Sequence, residues 1–255
     1  MQKGEYPEGG AVVFGGSGGV GRAVCVRLAE AGSDVALTYR KNAAAAEETA
    51  AAIRAHGRNA EVQALSAGDP EGIAALLERA ASRFGAVHTV VYAAGSDIPM
   101  RFVSELTREQ WREVMEADAG GFFDLVRGAL PHLRKSHGSI VAVTSAGLHR
   151  FPARDLLSVA PKAAIESVVR AVAKEEGRYG VRANCVALGV IEAGIFTRLA
   201  GGDLGKDWTE AAIRNTPLRR FGTAEEAADA VHFLASSRAS YVTGQTLVLD
   251  GGYSV

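Results

Sequence analysis

Near the start of the chain, Gly15-Gly16-Ser17-Gly18-Gly19-Val20-Gly21 has the composition and spacing of a turn that holds phosphate. It follows the apolar run Ala11-Val12-Val13-Phe14 and leads into Arg22-Ala23-Val24, where a helical pattern begins. Glycine permits a tight turn there and lets the backbone approach a pyrophosphate closely. The helix that follows aims unpaired N–H groups and the positive end of its dipole at the anion. Two registers fit: Gly16-x-Gly18-x-x-Gly21, the general dinucleotide fingerprint, and Gly15-x-x-x-Gly19-x-Gly21. A Gly-rich strand-to-helix turn without a ligand is the plain alternative, and only the surrounding sequence separates the two.

The elements around this turn fit a dinucleotide site. Apolar runs of strand length at 11–14, 34–39, 60–65, 87–93, 139–144, 181–187 and 246–249 alternate with longer stretches at helical spacing. The helical stretches are 20–31, 43–56, 70–84, 107–135, 156–179 and 223–235, rich in Ala, Leu, Glu and Arg. Alternating β and α implies an α/β fold, a parallel sheet with helices on both faces. Asp69-Pro70, the Thr107…Gln110 pair and glycines 32, 57 and 180 punctuate the helix ends. With 255 residues, 47% of them hydrophobic, and no linker or repeat, the chain is expected to form a single domain over 1–255. The irregular stretch 192–220, holding Gly194, Gly201, Gly202, Gly205 and Pro217, is expected to be a substrate-binding lid. Its Ile195, Phe196, Leu199, Leu204 and Trp208 make that lid apolar.

Other functions find little support. The formal charge is −1 with no basic run, so the field that neutralises nucleic-acid phosphates is missing and no nucleic-acid partner is expected. Cys25 and Cys185 sit inside apolar patterns and read as core, without a disulfide framework or a metal site. No apolar run reaches the length of about 18 residues that a membrane span needs, and residues 1–10 lack a basic-then-apolar start. The expectation is a soluble cytoplasmic protein with no membrane partner.

The Gly15-x-x-x-Gly19-x-Gly21 register resembles the short-chain dehydrogenase/reductase family, and the resemblance extends along the chain. Val90-Val91-Tyr92-Ala93-Ala94-Gly95 is similar to the family's fourth strand, and Gly138-Ser139-Ile140-Val141-Ala142-Val143-Thr144-Ser145 to its fifth. Arg182-Ala183-Asn184-Cys185-Val186-Ala187-Leu188-Gly189 resembles the segment that closes over the nicotinamide. Pro217-Leu218-Arg219-Arg220-Phe221-Gly222-Thr223 and Tyr241-Val242-Thr243-Gly244-Gln245 with Asp250-Gly251-Gly252 resemble the C-terminal signature. The resemblance implies a Rossmann-type doubly wound parallel sheet of about seven strands. Within the family, the chain is most similar to single-domain 3-oxoacyl-thioester reductases. By the same resemblance, the cofactor contacts are Gly15, Ser17, Gly18, Gly19, Val20 and Gly21, then Tyr39, Arg40 and Lys41, then Ser66 and Ala67. Ala93, Ala94 and Gly95, followed by Lys162, Gly189 and Ile191, complete the set. A homotetramer is implied too, with the helices 107–135 and 156–179 in one contact and the last strand in the other.

The end of the second strand bears on which nicotinamide cofactor binds. An acid there accepts hydrogen bonds from the ribose of NAD, whereas the 2′-phosphate of NADP needs cations. Thr38-Tyr39-Arg40-Lys41 offers two adjacent cations and no carboxylate, so NADP(H) is expected. Arg40 and Lys41 would otherwise be ordinary solvated charges at the start of a helix. After the third strand, Ser66-Ala67 stands where the family carries an Asp.

The resemblance also assigns catalytic roles, and here the chain departs from the pattern. In the family a Tyr exchanges the proton, a Lys four residues later lowers its pKa and holds the ribose, a Ser orients the substrate, and an Asn supports a relay water. Lys162 matches the Lys and Ser145 the Ser, but Ser158 stands at the Tyr position and Asp118 at the Asn position. A serine hydroxyl is a far weaker acid than a phenol and has a shorter reach, so Ser158 does not simply inherit the Tyr's role. Some enoyl-thioester reductases carry their Tyr three residues earlier, where this chain has Asp155. Like those enzymes, it lacks a Pro before Gly189, and a Ser four before the Lys resembles 2,4-dienoyl-thioester reductases. Candidate substitutes for the acid are Tyr92, Asp155, His149 and Asp118. Each has a structural alternative: Tyr92 as core filler, Asp155 as a helix cap, His149 as a surface residue, Asp118 as a backbone hydrogen-bonding group.

Two functions follow. One is an NADP(H)-dependent oxidoreductase passing hydride to a carbonyl or conjugated C=C of a small-molecule or acyl-thioester substrate. The other is a relative that kept the fold, lost the acid and serves as a nucleotide- or partner-binding module.

Overall fold

The computed structural model describes residues 5–194 and 206–255. Seven strands form one parallel sheet: β1 (Gly10–Phe14), β2 (Asp34–Tyr39), β3 (Ala60–Ala64), β4 (Val87–Tyr92), β5 (Ser139–Ser145), β6 (Arg182–Leu188) and β7 (Thr246–Leu249). Their order is β3-β2-β1-β4-β5-β6-β7, so the chain starts mid-sheet, winds outward to β3, then crosses to the other side of β1. That reversal opens a crevice at the carboxyl ends of β1 and β4, the place where sheets of this kind bind ligands.

Alternate strand residues feed two cores. Val12, Phe14, Val90 and Tyr92 pack with α3 (Pro70–Phe84), α5 (Gly121–Ser136) and α6 (Leu156–Glu176) through Leu76, Leu77, Phe122, Leu125 and Ile165. Ala11, Val13, Val91 and Val141 face the other way, onto α1 (Gly19–Glu30), α2 (Ala43–Ala55) and α8 (Ala224–Ala235) through Val24, Leu28, Ile53 and Val231. Both faces of each central strand are therefore buried, which explains the continuous apolar runs. Cys25 and Cys185 belong to these cores as free thiols, and burial pushes the Cys185 thiol up to about 12.

Two departures from the sequence pattern bear on the site. The expected helix 107–135 is α4 (Arg108–Val114), a π-helical turn at Met115–Gly120 and then α5, and Asp118 lies in the turn. Within the expected irregular stretch 192–220, α7 (Lys206–Asn215) is helical. Its dense charge and the preceding glycines hid it. Ile195, Phe196, Leu199 and Leu204 lie outside the described residues.

Candidate active site

The glycine turn forms directly off β1. Gly15 has φ of +81°, and its N–H donates to Thr38 Oγ1 at 3.1 Å, tying the turn to the end of β2. Gly18 N–H donates to the Gly15 carbonyl at 3.0 Å. A Cβ at Gly21 would overlap that same carbonyl oxygen, so α1 seats on the turn only because residue 21 is glycine. The N-cap Gly18 supplies no side-chain cap and the first turn of α1 holds no acid. The leading N–H groups are thus left for an anion, and no carboxylate opposes it. Ser17, Gly19 and Val20 are half-buried around the exposed Gly18. The turn fits the pyrophosphate of a dinucleotide.

The rim of the crevice comes from the neighbouring strand ends. Ala93 N–H donates to the Phe14 carbonyl at 2.9 Å, bringing Ala93, Ala94 and the exposed Gly95 alongside the turn. Tyr39 is half-buried, Arg40 and Lys41 are exposed, and Arg40 Nη2 lies 3.6 Å from Asp97 Oδ2 on the loop after β4. Ser66 is exposed, and Ala67 packs against Gly121, where a Cβ would collide with it. Gly189 lies against Asp250, and the buried Ile191 bridges to Gly222.

Lys162 projects from α6 into the same crevice. Its Nζ donates to the Ala94 carbonyl at 3.2 Å, lies 3.5 Å from Asp118 Oδ2, and stands 5.5 Å from the centre of the Tyr92 ring. Asp118 is fully engaged: Oδ1 accepts from the Ser96 hydroxyl at 2.7 Å and Oδ2 from the Ser96 N–H at 3.4 Å. Ser145 ends β5, half-buried, its Oγ accepting from the Gly147 N–H at 3.0 Å. Gly147 in turn packs on Val159 in the first turns of α6, so Ser145 and the start of that helix are neighbours. The glycine turn, Lys162 beside it and Ser145 thus stand at the carboxyl ends of the neighbouring strands β1, β4 and β5.

Comparison with known proteins accounts for this arrangement. Residues 15–254 match the family model described as enoyl-(acyl carrier protein) reductase. The 3-oxoacyl-(acyl-carrier-protein) reductase FabG of Staphylococcus aureus is 30% identical over 95% of this chain and 96% of its own. The chain belongs to the short-chain dehydrogenase/reductase family. A cis-4-hydroxycyclohexanecarboxylate dehydrogenase of Sinomonas cyclohexanicum is 34% identical over 98% of both chains. Among solved structures, a Serratia marcescens short-chain dehydrogenase/reductase superposes with a TM-score of 0.89 at 26% identity, covering 98% of this chain and 100% of that one. A Burkholderia cenocepacia short-chain dehydrogenase in complex with NADP gives 0.89 at 28% identity, with the same coverage.

As a short-chain dehydrogenase/reductase the chain is an oxidoreductase of a family that works with nicotinamide cofactors, yet its proton donor is not self-evident. Tyr92 is wholly buried and its hydroxyl donates to the Asp118 carbonyl at 3.1 Å. Burial and the nearby Asp118 push that phenol well above its ordinary range, so it suits the π-helical turn better than a proton transfer. His149 is exposed on the loop after β5. Ser158 is half-buried, its N–H donating to the Asp155 carbonyl at 3.1 Å. Asp155 occupies the N-cap of α6 without making the side-chain cap expected there, and burial pushes its carboxyl up to about 7. Sequence reasoning missed Ser96 and Thr38, which fix Asp118 and Gly15. The only sequence signal for either is a hydroxyl near a strand end, Thr38 one residue before the end of β2 and Ser96 four residues past the end of β4.

A cavity of about 560 Å³ lies at the amino ends of β4, β5 and β6 beside His88, Ser139 and Arg182. It shares no residue with the crevice described above.

Proposed function

We propose that this chain is an NADP(H)-dependent reductase that delivers hydride to a carbonyl or conjugated C=C of a small or acyl-thioester substrate. The observation that carries the reading is Lys162, held by Ala94 and Asp118 beside an intact pyrophosphate turn. NADPH supplies the hydride when bound. Gly15 to Gly21 hold its pyrophosphate, Arg40 and Lys41 meet the 2′-phosphate, and Lys162 holds the ribose. Ser145 orients the substrate oxygen, and residues 192–220 form a lid on a single domain spanning 1–255. A homotetramer in the cytoplasm accompanies this reading. The exposed Trp111 and Phe123 on α4 and α5, and the exposed Leu247 on the edge strand β7, support it as two separate contacts.

The test is calorimetric titration with NADPH and NADH, followed by NADPH oxidation assays on ketones, 3-oxoacyl thioesters and 2-enoyl thioesters. The reading expects tighter binding of NADPH and turnover in at least one class. Binding without turnover in any class would favour the second reading, a nucleotide- or partner-binding module. Ser158 at the Tyr position favours that second reading, and carbonyl reduction gained only in Ser158→Tyr would support it.

A further inference from the structure

We propose that Asp155 is the proton donor of this site, standing in for the missing phenol. The inference rests on the reductase reading above and goes beyond it. Asp155 is the N-cap of α6, and Ser158 and Lys162 follow it by three and seven residues, spacings that bring the chain back within an arc of about 60° of the same side of the helix axis. Lys162 is already in the crevice, and the neighbouring first turns of α6 pack on the loop that follows Ser145. An N-cap Asp ordinarily accepts a hydrogen bond from an N–H in the first turn. Here the backbone carbonyl of Asp155 accepts from Ser158 and Val159 at 3.1 and 3.0 Å while the carboxyl is left uncapped. The buried acids of the described structure are all partnered: Asp34 by Asn59 and Arg58, Asp118 by Ser96 and Lys162, Glu166 by Thr144, Glu176 by Arg134. Asp155 is desolvated with no such support, an arrangement that costs stability and that active sites use to keep an acid protonated.

Three of the charged groups on the surrounding elements are engaged elsewhere. The Arg150 guanidinium donates to the Tyr253 carbonyl at 2.7 Å, Arg154 stands over the Phe102 ring at 5.9 Å, and Lys162 is held by Ala94 and Asp118. Arg101 is exposed on the loop after β4, meeting this region through its N–H to the Arg154 carbonyl, and His149 is exposed on the loop after β5. Burial is accordingly what shifts the carboxyl, with no nearby charge contributing. In the proposed step the substrate carbon accepts the hydride supplied by NADPH, and the C=O π pair withdraws onto oxygen. That oxygen takes the Asp155 proton as the Asp O–H bond breaks. Asp155 is left a carboxylate and recovers its proton from water, so each turnover consumes one NADPH and one proton. With a conjugated C=C, the oxygen protonated is that of the enolate.

The test combines a titration with kinetics. In chain carrying 13C-labelled Asp carboxyls and saturated with NADP+, one carboxyl should titrate near neutrality and vanish in Asp155→Asn. With acetoacetyl and crotonyl thioesters, the native reduction rate should fall as pH rises through that midpoint. Asp155→Asn should lose at least about a hundredfold in kcat, within the range of general acid catalysis, while its Kd for NADPH stays within about threefold and its residual rate loses the pH step. A carboxyl titrating near 4, or a variant that keeps kcat within about fivefold with the native pH profile, would overturn the assignment. If the native chain reduces no ketone, 3-oxoacyl thioester or 2-enoyl thioester although NADPH binds, the reductase reading falls and takes the proposal with it.

Discussion

Lys162 Nζ and Asp118 Oδ2 lie 3.5 Å apart with side-chain exposures of 11% and 8%, an ion pair nearly removed from water. Asp118 holds the lysine from the π-helical turn while Ala94 holds it from the end of β4, so the ammonium is fixed from two elements at once. Removing one partner of such a pair strands the other charge in a poorly solvated place. Asp118→Ala is expected to cost about 3 kcal/mol of stability, read from urea unfolding at neutral pH. The double variant Asp118→Ala/Lys162→Met should recover part of that loss. A single variant as stable as the native chain would mean that the pair is solvated and of little weight.

The Tyr92 hydroxyl gives a cleaner separation of structure from chemistry. Tyr92→Phe removes a donor to the Asp118 carbonyl and nothing else. The expected result is a loss of about 1–2 kcal/mol, with kcat for any thioester turned over staying within about threefold. A hundredfold fall in kcat with stability unchanged would make Tyr92 the acid instead.

Cofactor choice is tested at Arg40. Its pairing with Asp97 is exposed and weak, so a phosphate competes for the guanidinium at little cost. Arg40→Ala should raise the Kd for NADPH about 10- to 100-fold, the worth of one or two charge-assisted hydrogen bonds, and leave NADH binding nearly unchanged in calorimetry. Equal losses for both cofactors would place Arg40 away from the 2′-phosphate.

At Gly21 even a methyl group has no room, because it would meet the carbonyl oxygen of Gly15. Gly21→Ala is expected to destabilise the chain by about 1–3 kcal/mol, as overpacking does, and to abolish NADPH binding by lifting α1 off the turn. Thermal unfolding with and without NADPH reads both effects: the variant should melt lower and lose the ligand-induced rise.

A pH dependence separate from the site comes from Glu226 at the start of α8. Hydrogen bonds from Arg220, at 2.6 and 2.8 Å, and from the Thr223 N–H hold its carboxyl down at about 2. A depressed carboxyl contributes stability that is present above its unfolded pKa and lost as pH falls through the folded value. Glu226→Gln keeps the capping geometry and removes the charge. It should therefore be less stable than the native chain at pH 7, with the difference closing between pH 5 and about pH 2. A difference that is constant across that range would show that the Glu226 charge is not what stabilises the native chain.

Much of this protein is written along the chain. The strands 34–39 and 246–249 are bounded in the structure as periodicity bounds them, because each is a short apolar run closed by polar or glycine residues. The Gly15–Gly21 turn is equally local: its requirements are a positive φ at Gly15 and no side chain at Gly21, which only residue type can meet. Lys162, Ser145, Ser158 and Asp118 are legible as positions through resemblance, and so is the absence of a phenol from its usual place. Tertiary structure decided what surrounds them. That Tyr92 points its hydroxyl at a π-helical turn, that Ser96 and Lys162 share Asp118, and that Asp155 is desolvated without a cap depend on contacts between residues as many as 68 positions apart, as between Lys162 and Ala94. The proton affinity of a carboxyl is set by water, dipoles and charges within a few ångströms, and those neighbours come from different strands and helices. Sequence fixes which acids the chain has, and folding sets the direction in which burial and neighbours move each one's proton affinity.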